Sequence, residues 1–381
     1  MVMLGQGVVS PVLPLLAASY GVGVAAIGAA LSAFGLSRMV LNAPLGLVAD
    51  RRGRRPLMVG GPLVLAIGMF GSGAAQSIMT LTLWRLVAGI GSAMYMTAAM
   101  IYITDIAAPD QRARYLGANQ AALQLGVSIG PAIGGLLGDR YGLRAPFQVV
   151  GILGLAASGY ALARIRETRP VHASVPRRRG SLRLVVGAPS FVAISVVAMA
   201  GFFTRGTARL TLIPLVGATD FGMSASQIGF VLSAMAVINL VLVAPGGWVA
   251  DRWGRRVAIL PSLVLMILAL LMFSRAGNVI AFLVAAGVLA IATSVSGPAP
   301  AAFAADASPE EARGAAMGIY RTAGDVGLFI GPPILGAVTD ASGFGAAFLV
   351  NALVVAFAFA VFWRWGHPQR GVSSPRARRT D

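Results

Sequence analysis

The chain has 381 residues, 57% of them hydrophobic and only 11% charged, with a mean hydropathy of +0.80. A soluble domain carries about 25% charged residues, so a soluble enzyme is excluded. The formal charge of +17 rests on arginine alone, since no lysine occurs. Its distribution speaks for membrane orientation and against nucleic acid as a partner.

Apolar runs of about 20 residues, each long enough to cross a bilayer as a helix, fill most of the length. Backbone groups in lipid must be satisfied internally, so these runs predict helices and an all-α membrane protein. In chain order the pattern predicts spans near 1–18, 25–48, 57–76, 79–103, 114–138 and 144–163. A polar, arginine-rich stretch at 164–188 follows, and then spans near 189–216, 224–248, 257–274, 278–303, 314–339 and 344–365. The predicted organisation is a six-helix bundle at 1–163, a basic linker at 164–188, a second bundle at 189–365 and a tail at 366–381. Most of the 30 arginines fall in loops and tails on one side, against Arg140, Arg144 and Arg275 on the other. The positive-inside rule places that richer side, with the linker and the C-terminus, in the cytoplasm of an inner or plasma membrane. The linker and tail read as orientation signals and lipid-headgroup contacts.

The ten residues "GLVADRRGRR" (Gly46 to Arg55) return 201 positions later as "GWVADRWGRR" (Gly247 to Arg256). The same offset carries Asp105 to Asp306, Gly126 to Gly327, Gly130 to Gly331, Pro131 to Pro332 and Asp139 to Asp340. Two parallel six-helix halves follow, with a substrate site expected at their interface near the midplane. By the same mapping the first span should begin upstream of Met1, so an upstream start or an N-terminal truncation is expected. The absence of cysteine excludes disulfides, a redox dithiol and a thiolate metal site. The two histidines, His172 and His367, form no ligand cluster, and no cofactor is expected.

On these residues the chain resembles the major facilitator superfamily over essentially its whole length. The two "ADRxGRR" loops look like that superfamily's signature between the second and third spans and its echo between the eighth and ninth. "LTLWRLVAGIGSA" (Leu81 to Ala93) looks like the fourth-span signature, with Arg85 as its arginine. "GVSIGPAIGG", holding Gly126, Gly130, Pro131, Gly134 and Gly135, matches the fifth-span signature associated with drug:proton antiporters. The resemblance implies a twelve-span secondary transporter that alternates access, with an exchange of small amphiphilic or drug-like molecules for protons. It implies no enzyme. A proton symporter importing an organic anion and a non-transporting membrane sensor stand as alternatives. Membrane lipids, a small-molecule substrate and protons are the expected partners of a monomer.

The resemblance also implies a gate in the charged loops. Asp50 and Asp251 would dock on helix N-termini of the opposite half, where unpaired N–H groups carry partial positive charge. Gly46, Arg51, Gly53, Arg54 and Arg55, their counterparts Gly247, Arg252, Gly254, Arg255 and Arg256, and Asp105 and Asp306 would complete the network. Alternatively the loops only set topology. Gly126, Gly130 and Gly134 line one helix face and predict close packing. Pro131 lets the helix bend, and the functional reading adds that this bend seals the non-cytoplasmic side during antiport.

Ionisable groups at membrane depth ordinarily face a cavity or a partner. Asp325 is the one acidic residue deep in a span, with Arg321 one turn earlier; Gln120 and Gln124 are their repeat equivalents. Asp325 is therefore the candidate proton carrier or else a salt-bridge partner of Arg321. Arg38, whose equivalent is Asn239, joins Arg85, Arg205 and Arg209 inside spans. If they face the cavity, this excess favours an anionic or zwitterionic substrate; otherwise they reach headgroups or carbonyls. Phe34, Tyr95, Phe202, Phe203 and Tyr320 offer stacking surface or plain packing.

Overall fold

The computed structural model describes residues 2–108, 111–168, 188–308 and 313–367. Most of the predicted linker, including His172, and nearly all of the tail lie outside the described residues. Ten helices among the described residues are long and apolar enough to cross a membrane. The first span adds two short helices, Val2–Val9 and Val12–Ala18, broken at Ser10 and Pro11. The last helix, Arg313–Trp365, is two spans joined at Gly343, whose backbone is non-helical. Twelve crossings result. Large apolar side chains such as Ile280, Leu353 and Phe357 stand 75%, 68% and 63% exposed, which suits a surface meeting lipid and not water.

Spans two to six are Val24–Arg52, Arg55–Ala74, Ile78–Ile106, Arg112–Tyr141 and Ala145–Arg164. The seventh runs through Pro189–Thr204, a π-helical stretch Arg205–Leu212 and Ile213–Thr219. Spans eight and nine are Ala225–Trp253 and Arg255–Ser274. The tenth is Val279–Ser296 and Ala299–Asp306, broken at Gly297. The spans turn sharply where glycine permits a left-handed backbone that other residues resist. Gly53 and Gly254 (φ 96° and 97°) end the second and eighth spans, and Gly142 and Gly343 (φ 86° and 83°) follow the fifth and eleventh. Each pair is separated by the repeat offset.

Within the first half the second span packs on the fourth, the third on the fourth and sixth, and the first on the fifth. The second half repeats these pairings as eight on ten, nine on ten and twelve, and seven on eleven. Each half has its own apolar core. That of the second is centred on Phe273, which stacks on Phe348 at 4.9 Å and meets Phe282 edge-on at 5.4 Å. The halves meet through two equivalent helix pairs, the second with the eleventh and the fifth with the eighth.

Candidate functional site: a sealed seam and arginine-lined cavities

The seam between the halves is tightest at the end away from the two arginine-rich loops. A Cβ on Gly28 would overlap the Pro332 carbonyl, and one on its equivalent Gly229 would overlap the Pro131 carbonyl. Gly135 lies against Ala225 and Ser226, and Gly336 against Val24 and Ala25. Two carboxylates close this end. Asp139, at the end of the fifth span, accepts the N–H groups of Ala225 and Ser226 at 2.9 and 3.0 Å. Asp340, at the end of the eleventh, accepts those of Val24 and Ala25 at 2.7 and 3.0 Å. Each carboxylate thus caps the first turn of a helix in the opposite half, where donors are unpaired and the dipole is positive.

At the arginine end the charged residues pair inside their own halves. Arg54 lies 3.6 Å from Asp50 and donates through Nε to Asp105 at 2.9 Å. Arg255 pairs with Asp251, and its Nε stands 3.5 Å from Asp306. Arg55 donates to the Leu162 carbonyl at 2.9 Å, and Arg256 to the Trp363 carbonyl at 2.7 Å. Arg252 lies over the Trp248 ring. Arg51 and Arg52 are exposed, and Gly46 has open space beside it, as does Gly247 except for the edge of Pro298. Among the described residues the expected docking of Asp50 and Asp251 on the opposite half is therefore not made. Their carboxylates stand 66% and 68% exposed, because the halves are in contact at the other end. Glu167, which the sequence reading passed over, accepts the N–H groups of Arg54 and Arg55 and so caps the third span.

Between these ends lie adjoining cavities that share Gln6, Ser10 and Leu210 or Arg205 and Arg209 among their walls. The first, of about 70 Å³, spans the two halves; Ser32, Phe34, Arg38 and Arg85 face Leu210 and Leu328 there. The second, of about 290 Å³, lies in the second half and is lined by Arg205, Arg209, Asn239, Thr293, Phe202 and Tyr320. The π-helical stretch contains both Arg205 and Arg209, and a wide turn of this kind often marks a functional segment. It is secured by Thr207 and Thr204, which bond to the fully buried Asn351 at 3.1 and 2.9 Å. Arg209 also reaches the Leu232 carbonyl at 3.4 Å. Asp325 is half-buried and within electrostatic range of Arg321 and of Arg38 in the other half, but forms no direct ion pair with either. The contact salt bridge entertained for Arg321 and Asp325 is thus not made here. Gln120 is exposed, and Gln124 half-buried.

A sequence profile described as Major Facilitator Superfamily matches residues 1–213 and again residues 194–380. The chain belongs to that superfamily. An uncharacterized MFS-type transporter of Methanocaldococcus jannaschii is 24% identical over 92% of each chain. Multidrug resistance protein 1 of Bacillus subtilis is 24% identical over 95% of this chain and 93% of its own. The inward-facing, occupied structure of a bacterial homolog of the human lysosomal transporter Spinster aligns with a TM-score of 0.80. It covers 97% of this chain and 94% of that one at 17% identity, a likeness of fold alone. This major facilitator chain is a multi-pass membrane transport protein, not an enzyme. Its fifth-span glycines divide their work by helix face. Gly126, Gly130 and Gly134 press on Leu4, Gly7 and Val8 of the first span, while Pro131 and Gly135 meet the eighth. The carboxylates at 139 and 340 were paired by the repeat but given no role, because each finds its partner only after the halves assemble.

Proposed function

We propose that the chain exports a small amphiphilic molecule across the plasma membrane in exchange for protons, as a monomer. Residues 1–163 and 189–365 are the two rocking lobes, with the linker 164–188 and the tail 366–381 in the cytoplasm. The observation that carries this reading is the one-sided seam. Cavities at mid-depth lie behind a contact that closes one end, while at the other end the carboxylates of the charged loops stand exposed and pair within their own halves. Arginine distribution puts the free end in the cytoplasm, so the conformation is the one that receives cargo from inside. The fifth-span motif and the name of the Bacillus subtilis relative support export.

Asp325 is the group best placed to carry the proton. Arginine does not deprotonate in proteins, and although no carboxylate among the described residues lines the cavities, Asp325 lies within electrostatic range of the cavity residue Arg38. Its attraction to Arg38 crosses between the lobes. Protonation removes that attraction, which ties proton uptake to the rocking step. Inverted vesicles test the reading. An imposed pH gradient should drive uptake of a panel substrate, and Asp325→Asn should leave binding but abolish the response to the gradient. Accumulation in right-side-out vesicles driven by an inward proton gradient would instead establish import by symport. An undiminished response to the gradient in Asp325→Asn would remove that residue from the coupling.

A further inference from the structure

The cavity between the halves holds polar groups that nothing in the protein satisfies. Arg85 is 5% exposed, and Ser32 4%. The Nε atoms of Arg85 and Arg38 and the hydroxyl of Ser32 are buried with no hydrogen-bond partner. All three side chains line the same cavity. No carboxylate among the described residues ion-pairs with Arg85 or Arg38. Arg85 instead lies over the Phe34 ring at 4.6 Å, with Arg38 at 6.0 Å from the same ring. A ring face compensates a cation far less than a carboxylate does, and a buried charge without a partner is costly.

The equivalent place in the other helix pair shows what satisfaction looks like. There Ser233, the counterpart of Ser32, accepts the N–H of Ala132 at 2.9 Å across the seam. The counterpart of Ala132 is Pro333, which has no N–H to give. The vacancy is therefore one-sided, and it coincides with the two arginines. Apart from Gln6 and Ser10 the remaining wall is largely apolar, with Val9, Leu13, Leu31, Leu65 and Met69.

We infer that this cavity binds an amphiphile by an anionic head group, such as a carboxylate or phosphate. Arg85 and Arg38 bond the head, Ser32 donates to it, and the apolar wall takes the adjoining part of the chain. The inference deepens the transport reading and rests on it for the direction of movement, while the binding site stands independently. It turns the substrate away from cationic drugs, since a cation would meet two arginines in a cavity whose wall holds no carboxylate.

The test is binding of octanoate, octylammonium and octanol, matched in length, to the purified full chain in phosphatidylcholine nanodiscs, with empty nanodiscs subtracted. Octanoate should bind saturably and in preference to both others. Arg85→Gln should weaken it by about 30-fold and abolish the preference over octanol, as expected for loss of charge-assisted bonds. Arg85→Lys should retain the anion preference, and Ser32→Ala should cost about threefold. Should Arg85→Gln fail to fold, the wild-type selectivity and Arg38→Gln decide. Competition by phosphatidylglycerol added to the nanodisc assigns the head group to a bilayer lipid; its absence assigns a water-borne amphiphile. Preference for octylammonium, or octanoate binding unchanged in the folded variants, overturns the inference. Specific octanoate binding without flux in proteoliposomes would sink the export reading and leave the site standing. Flux of a cation, indifferent to Arg85→Gln, would do the reverse.

Discussion

The carboxylate caps at the closed end lend themselves to a quantitative test. Asp139 and Asp340 each hold two consecutive N–H groups of a helix in the opposite half, at 2.7 to 3.0 Å. A capping bond of this type contributes about 1 kcal/mol, and a carboxylate facing an exposed helix start adds about 0.3–1 kcal/mol. Both side chains are exposed, so the lower part of that range applies. Asparagine keeps one acceptor oxygen and loses the charge, which should cost the closed seam about 0.7 kcal/mol per site. The two grips engage different helix pairs, so the double variant should lose about 1.4 kcal/mol, a tenfold shift toward the state open at that end. The cysteine-free chain makes the measurement direct. Ser19 and Thr219, both exposed at that end and in opposite halves, can be replaced by cysteine and spin-labelled without further changes. Pulsed electron resonance on Asp139→Asn/Asp340→Asn should show the longer-distance population rising about tenfold over the parent. Superimposable distance distributions would show these carboxylates to be bystanders.

Gly229→Ala should part the same spin pair further than the double aspartate variant, since the new methyl collides with the backbone of Pro131. Gly46→Ala, which meets nothing, is its control and should leave the distances alone. Asn351→Val leaves Thr204 and Thr207 without their shared partner in a fully buried place. It should lower the stability of the purified protein by about 1–3 kcal/mol, read as a drop in Tm. Asp50→Asn should insert and melt like the parent, because Asp50 is exposed, its 3.6 Å pair with the buried Arg54 is long, and Asp105 still holds that guanidinium at 2.9 Å. If the loop docks on the opposite half when that end closes, the same variant should nevertheless slow substrate flux in proteoliposomes; undiminished flux would rule the dock out.

The twelve-span frame was legible because lipid makes hydrophobic length a direct readout of crossing helices, and because the repeat supplied a second copy of nearly every landmark. Pro131 and Pro332, Gly53 and Gly254, and Asp139 and Asp340 all sit where the offset of 201 residues pairs them. The interruptions were less legible. "RGTARLTL" holds no proline to announce a π-helical turn, and the break at Gly297 follows a run indistinguishable from its neighbours by hydropathy. At the site, a scan for charges within spans found the arginines but not their lack of partners, which depends on helix faces brought together from both halves. Asp50 was read as a cross-half latch, yet here it turns to Arg54, one helical turn away. Its partner among the described residues is thus the cation in its own loop.

Asp139 precedes Gly142 by three residues, and Asp340 precedes Gly343 by the same interval. Each carboxylate also follows, by four residues, a glycine that touches the same partner helix, Gly135 or Gly336. One residue inserted between Gly135 and Asp139, or between Gly336 and Asp340, would swing the side chain by about 100° around the helix axis and away from its target. The spacing from seam glycine to carboxylate is therefore part of the fastening, and a relative with one residue more in that interval must secure this end by other means.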